Sequence, residues 1–183
     1  TKGVVLALAD GISSSPVSQV ASAAAVRGFL EDYYLTSETW PVRRAAQRVL
    51  QATNSWLHAQ TQRGEGRFDK NRGHVCTFSA LVFKGREAHL LHVGDTRIYR
   101  LHPQALEQLT EDHRVRVSDR ESYLGRALGM SPNVEIDYSH WETEPGELYL
   151  LATDGVYERL DAAAVHAALA AHPADLDAVA RDL

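Results

Sequence analysis

The sequence predicts an α+β fold in which helices cover the faces of antiparallel sheets. Apolar residues recur at helical spacing through the first third of the chain. Runs rich in β-formers and punctuated by glycine fill the middle. Strands and helices do not alternate there as parallel βαβ units require.

Each element follows from local chemistry. Val4-Val5-Leu6-Ala7-Leu8-Ala9 is a short apolar run that ends at Asp10-Gly11 and reads as a buried strand. Ser13-Ser14-Ser15-Pro16 reads as a loop and helix entrance, because serine suits an N-cap and proline is tolerated in a first turn. An alanine-rich helix is expected from Val17 to Tyr34. Thr39-Trp40-Pro41 restarts a helix in which Val42, Ala45, Ala46, Val49, Trp56 and Leu57 form one amphipathic face. Gln62 to Gly73 is polar and reads as an exposed loop.

Val75 to Lys84 predicts a strand, Gly85-Arg86 a hairpin turn, and Glu87 to Val93 and Thr96 to Leu101 a continuing antiparallel meander interrupted at Gly94-Asp95. Glu107 to Thr110 adds a short strand before the polar Glu111-Asp112-His113. Arg114 to Met130 reads as an irregular, partly helical insert. Strands are expected at Val134 to Tyr138 and Glu147 to Thr153, with helices around Ala162 to Ala170 and through Leu176, Val179, Ala180 and Leu183.

The 183 residues fit one domain, 1–183, with a substantial core. A composition 44% hydrophobic and 23% charged is that of a folded globular protein. Net charge of −5 without a basic stripe argues against a nucleic-acid partner. Apolar runs fall far below bilayer-spanning length and no signal-peptide pattern opens the chain, so no membrane association is expected of this segment. The single cysteine, Cys76, rules out an internal disulfide and fits a reducing cytoplasm. A start at Thr1, directly before a strand, is expected of a fragment or processed chain.

Two apolar strands each run into an Asp-Gly pair, at Asp10-Gly11 and at Asp154-Gly155. If the two ends meet, carboxylates about 4 Å apart repel by roughly 4 kcal/mol at an effective dielectric near 20. A hard divalent cation such as Mg²⁺ or Mn²⁺ turns that repulsion into binding, and the Gly11 carbonyl could join it. Paired ions orient a phosphate ester and lower the pKa of a bound water, so no nucleophilic side chain is needed. The alternative reading of each pair is a turn after a strand. His92-Val93-Gly94-Asp95-Thr96-Arg97 places a third acid after a strand end. There Arg97 could pair with Asp95, hold a phosphate, or fix the strand connection in an Asp–Arg pair.

Asp10-Gly11, Gly94-Asp95-Thr96-Arg97 and Thr153-Asp154-Gly155-Val156-Tyr157-Glu158 occur in the order seen in metal-dependent serine/threonine protein phosphatases of the PPM, or type-2C, family. Thr77 to Phe83, Leu109 to His113 and Arg126-Ala127-Leu128-Gly129 resemble that family's connecting segments. The likeness spans nearly the whole chain and is most similar to bacterial members of the kind fused to a protein kinase. It implies a four-layer α/β/β/α sandwich of antiparallel sheets flanked by helices, with two metals in a cleft at one end. It implies that Asp10 bridges both ions, that the Gly11 carbonyl binds one, that Asp154 binds the other, and that Asp95 lies near a third, weaker one. Asp10 and Asp154 are thus the catalytic candidates.

Hydrolysis of phosphoserine and phosphothreonine in proteins by a metal-activated water is the function so implied, with a fused or cognate serine/threonine kinase as partner. The family's N-terminal strand with its arginine and Asn-Glu-Asp motif, and its closing Asp-Asn strand, do not occur within these residues, so a domain truncated at both ends with weakened metal binding is expected. Ile12-Ser13 replaces further glycines, and Glu158 stands where aspartate is usual. A catalytically silent phosphatase-like regulatory or binding module is the alternative. An aspartyl-nucleophile phosphatase needs Asp-x-Asp after the first strand, whereas this chain has Asp10-Gly11-Ile12.

The nine histidines are not promoted to ligands. His89 and His92 lie three apart on a strand and face opposite ways. His74, His102 and His140 fall in loops or at strand ends and read as solvated, and His113 reads as capping or structural. Cys76 lacks the arginine six positions on that a cysteine phosphatase needs, since Val82 stands there. Trp40, Trp56 and Trp141 read as core or rim packing, and Glu142, Glu144 and Glu147 as a solvated turn around Pro145-Gly146.

Overall fold

A computed structural model describes residues 1–103, 105–118 and 122–183. In chain order the elements are β1 (Val4–Leu8), α1 (Ser18–Leu35), α2 (Val42–Arg63), β2 (Phe78–Lys84), β3 (Glu87–Val93), β4 (Arg97–His102), β5 (Ala105–Gln108), β6 (Arg114–Arg116), β7 (Ser122–Leu124), β8 (Asp137–Glu142), β9 (Tyr149–Ala152), the single turn α3 (Asp154–Tyr157), α4 (Ala162–Ala171) and α5 (Leu176–Asp182).

The first sheet runs β1-β2-β3-β8 and the second β5-β4-β9, both antiparallel throughout. Side chains alternate across a strand, so the two faces of the first sheet serve two cores. Phe78, Ala80, Val82, Leu91 and Val93 turn toward α1 and α2 and pack on Ala21, Ala25, Phe29, Ala45, Leu50 and Leu57. Leu81 and Leu90 turn the other way and meet Ile98, Tyr149 and Leu151 of the second sheet. Small alanines at every fourth position of α1 let Phe29 reach the sheet, where its ring meets Phe78 edge-on at 5.0 Å. Helices α4 and α5 complete the four layers, and His166 of α4 reaches the His102 carbonyl at the end of β4 (2.9 Å).

Several sequence expectations are corrected. The meander does not continue through β4: β3 pairs with β8, and β4 crosses into the other sheet between β5 and β9. The crossing is made at Gly94, whose φ of +113° and close approach to the Thr77 side chain admit no Cβ. Arg114 to Met130 holds no helix among the described residues; it forms the two-stranded ribbon β6–β7, in which Val115 pairs with Tyr123. Asp119 to Glu121, within that expected insert, lie outside the described residues.

The strand expected from Val134 starts instead at Asp137; ahead of it, Asn54 of α2 binds the Ser131 and Pro132 carbonyls and holds them to the helix. Trp56 is 47% exposed, one position off the buried stripe that runs through Leu50, Asn54, Leu57 and Thr61. The expected loop from Gln62 to Gly73 begins inside α2 and then folds into 3₁₀ turns at Glu65–Arg67 and Lys70–Arg72. Helix α1 is entered from Val17 without a side-chain cap. Ser15 accepts from the Val17 N–H (3.3 Å) while donating to the Gly73 carbonyl (2.8 Å).

Candidate active site

Strand register explains why distant acids share one end of the molecule. The β1–β2 register, Leu8 opposite Ser79, runs on to set Asp10 beside Thr77. Thr77 donates its N–H to the Asp10 carbonyl (2.8 Å), and its hydroxyl accepts from the Asp10 N–H (3.0 Å). The β2–β3 register, Phe78 opposite Val93, continues to Gly94 beside Thr77, which brings in the turn carrying Asp95. The hydroxyls of Thr77 and Thr96 close that link at 2.5 Å. In the second sheet Arg97 lies opposite Ala152, so Asp95 and Asp154, two residues beyond each, leave neighbouring strands at the same edge.

Gly11 is required by packing. A Cβ there would sit 2.6 Å from the Ser18 carbonyl oxygen, so glycine lets the start of α1 lie against the Asp10 turn. The Gly11 carbonyl accepts no hydrogen bond from the described residues. Asp154 opens α3, where its carboxylate accepts the Gly155 N–H at 2.8 Å.

A cleft of about 840 Å³ is lined by Asp10, Gly11, Asp95 and Asp154, together with His58 and Arg114. Burial, reinforced by the charges of Asp154 and Asp95, pushes the Asp10 carboxyl above the ordinary range, while the Gly11 N–H opposes this. Burial also raises Asp95 despite its ion pair with Arg114, Nη1 to Oδ2 at 2.6 Å. Neither Asp10 nor Asp154 makes an ion pair among the described residues, whose contacts give the cleft an excess of negative charge.

Arg97 does not pair with Asp95. Its guanidinium forks onto Asp112 (2.9 and 2.7 Å) and stacks on the Tyr157 ring, 3.8 Å from the centroid. Asp112 outcompetes Asp95 because the β4–β5 hairpin brings it beside Arg97, while Asp95 points into the cleft and is taken by Arg114. His113 is structural: Nδ1 accepts the Gly94 N–H (3.0 Å) and Nε2 meets Asp137 (2.9 Å). Cys76 is fully buried, and desolvation with Asp10 nearby pushes its thiol up to about 12, which removes it as a nucleophile.

The donor set is all oxygen: two unpaired carboxylates, a third shared with an arginine, and an open backbone carbonyl. That chemistry fits hard divalent ions. It is a partial shell, since no three His, Cys, Asp or Glu side chains among the described residues stand close enough to hold one ion. Sequence reasoning did not single out Thr77, His58 or Arg114. Only the register reveals Thr77, and Arg114 reaches a carboxylate nineteen positions away.

Two antiparallel sheets held between helix pairs, with acids from both sheets facing one cleft, define a phosphatase-type α/β/β/α sandwich. The chain belongs to the protein phosphatase 2C family, whose profile matches residues 1–179. The serine/threonine phosphatase stp of Listeria welshimeri is 28% identical over 175 residues, covering 83% of this chain and 66% of that protein. The serine/threonine protein phosphatase PstP of Mycobacterium tuberculosis is 29% identical over 168 residues, covering 83% of this chain and 31% of its own length. The chain thus spans just under two thirds of the first relative and about a third of the second.

Among solved structures, the phosphatase MsPP of Mycobacterium smegmatis, in complex with cacodylate, superposes with a TM-score of 0.79 at 21% identity, covering 100% of this chain and 80% of that one. The PstP catalytic domain in complex with 2 manganese ions superposes with a TM-score of 0.73 at 24% identity, covering 97% of this chain and 81% of that one. These likenesses establish the fold.

Proposed function

We propose that this chain acts as a single phosphatase domain that hydrolyses phosphoserine and phosphothreonine in proteins with two divalent ions, Mg²⁺ or Mn²⁺. The observation that carries the reading is the cleft lined by Asp10, Asp95 and Asp154 with Arg114 as the one lysine or arginine among the described lining residues. Family membership and the manganese found in PstP support it. Bound ions supply Lewis acidity toward phosphoryl oxygens and a water that ionises near neutral pH.

The chain's own residues set the geometry. Asp10, locked to Thr77 through two hydrogen bonds, would hold the divalent ions together with the Gly11 carbonyl. Asp154, at the mouth of α3, would join that ligand set, and Asp95 would serve a weaker further position. Bound cations would offset the negative charge that Asp10, Asp95 and Asp154 place in the cleft and that opposes a phosphate ester. A cognate or fused serine/threonine kinase in the cytoplasm would supply the phosphorylated substrate.

The test is turnover of an aryl phosphate by the intact protein that carries this chain. Hydrolysis that requires Mn²⁺ and is lost in both Asp10→Asn and Asp154→Asn is expected. Metal-independent hydrolysis, or undiminished rates in both variants, overturns the reading.

A further inference from the structure

Arg114 is the one lysine or arginine among the described residues that line the cleft. The geometry points to Arg114 as the side chain that receives the phosphoryl oxygens of the substrate, with Asp95 as its resting partner. This deepens the phosphatase reading and rests on it.

How the molecule uses its other arginines sets Arg114 apart. Arg97 is committed to Asp112 through Nε and Nη2, with Nη1 on the Tyr99 hydroxyl (3.3 Å) and its plane on Tyr157. Arg126 is committed to Asp137 (2.6 Å), with Glu135 at 3.4 Å. Among the described residues Arg114 makes one short contact to a carboxylate, Nη1 to Asp95; Nε donates to the Ser122 hydroxyl (3.0 Å) and Nη2 reaches the Ser122 carbonyl only at 3.4 Å. A guanidinium carries five N–H donors. Among the described residues three are engaged and two remain, one on each terminal nitrogen, enough to donate to two phosphoryl oxygens. The Arg114 side chain is 36% exposed while Asp95 is 14% exposed, so the arginine stands at the rim and the acid behind it.

The ribbon that carries Arg114 is anchored where it needs to be. His113 donates its N–H to the Gly94 carbonyl (2.8 Å), and Gly125 donates to the His113 carbonyl (2.7 Å). The base of β6–β7 is therefore fixed to the turn that bears Asp95. Val115 (57%) and Tyr123 (59%) farther along the ribbon stay uncovered. Arg114 keeps its place beside the cleft, yet its side chain is free to exchange one carboxylate oxygen for two phosphoryl oxygens.

The experiment titrates inorganic phosphate calorimetrically into the intact, Mn²⁺-equilibrated protein and measures KM and kcat on a phosphopeptide. Variants are Arg114→Gln, Arg114→Lys and, as a charge control on the same ribbon, Arg116→Gln, a residue outside the cleft lining. Arg114→Gln is expected to weaken phosphate binding and raise KM roughly tenfold, with kcat changed less than about threefold. Arg114→Lys restores part of the affinity, because charge returns without the fork. Arg116→Gln leaves both values unchanged, and all melting temperatures stay close to wild type.

Phosphate affinity and KM within about twofold of wild type in Arg114→Gln overturn the inference; the phosphatase reading survives if the wild type still turns over. A wild type that is inactive yet loses phosphate binding in Arg114→Gln overturns the phosphatase reading and keeps Arg114 as an anion site.

Discussion

Two groups of acids lie within one small molecule and are treated in opposite ways. At the base of the β6–β7 ribbon, Asp137 receives Arg126 at 2.6 Å and His113 at 2.9 Å. Burial pushes its carboxyl up, but those hydrogen bonds outweigh burial and hold it below the ordinary range. Asp112 nearby is gripped by Arg97. Across the Gly94 turn, Asp10 and Asp154 receive backbone N–H groups and no cation from the described residues, and Asp10 is pushed the other way by burial and like charge. The fold can supply guanidinium groups to acids and does so where the acids hold loops together. Where it withholds them, the negative charge is left for something that binds. Arg114 on Asp95 stands between the two cases.

Removing charges should separate the two groups. The largest effect is on turnover: Asp154→Asn lowers the Mn²⁺-supported rate by about 10²-fold or more, roughly 3 kcal/mol of barrier, as steady-state kinetics would record. A loss under threefold would place Asp154 with the structural acids.

The next effect concerns the layer beneath. His92 is buried, with its ring between the Ser79 hydroxyl (2.8 Å) and the Glu111 carbonyl (3.0 Å). The carbonyl can only accept, so Nε2 carries the proton and Nδ1 accepts from Ser79. Burial, aided by His113, lowers His92 to about 4 from 6.5. The unfolded chain therefore binds the extra proton between pH 6.5 and 4. The stabilisation is complete above that window and is lost as pH falls through it, a change of about 3 kcal/mol. Melting temperatures of wild type against His92→Gln across this range should show a flatter profile in the variant; parallel profiles would remove His92 as the source.

A smaller effect is expected at Arg97→Gln, which leaves Asp112 without its forked partner and costs about 1–3 kcal/mol in urea unfolding. The smallest carries the opposite sign: Asp10→Asn relieves like-charge repulsion and stabilises the metal-free protein by about 1 kcal/mol or less. If both variants destabilise alike, the contrast between the two groups fails.

Much of this arrangement is legible in the sequence because apolar period and glycine placement are local signals. The runs ending at Asp10 and Asp154 are strands for the reason their composition suggests, and β2 and β3 form a hairpin at Gly85 with φ of +66°. Sheet membership is not local. The residues of β4 read as a third meander strand, yet they join the second sheet, and the chain leaves the first at Gly94, where it turns tightly against Thr77. Ion-pair choice is equally hidden. Asp95 and Arg97 are two positions apart, yet Arg97 pairs with Asp112 and Asp95 with Arg114, because strand alternation and the hairpin decide which charges meet. The Arg114 ribbon reads as partly helical in the sequence because strands of three residues are too short to establish a period.

The most direct test of the central claim follows melting temperature while Mn²⁺ is added to metal-free protein and then removed with a chelator. Wild type is expected to rise by several degrees in a saturable, reversible way, because a ligand that binds only the folded state stabilises it. Asp10→Asn and Asp154→Asn should start no lower and rise little. A wild type that is indifferent to Mn²⁺, or variants that respond as fully as wild type, would contradict the account.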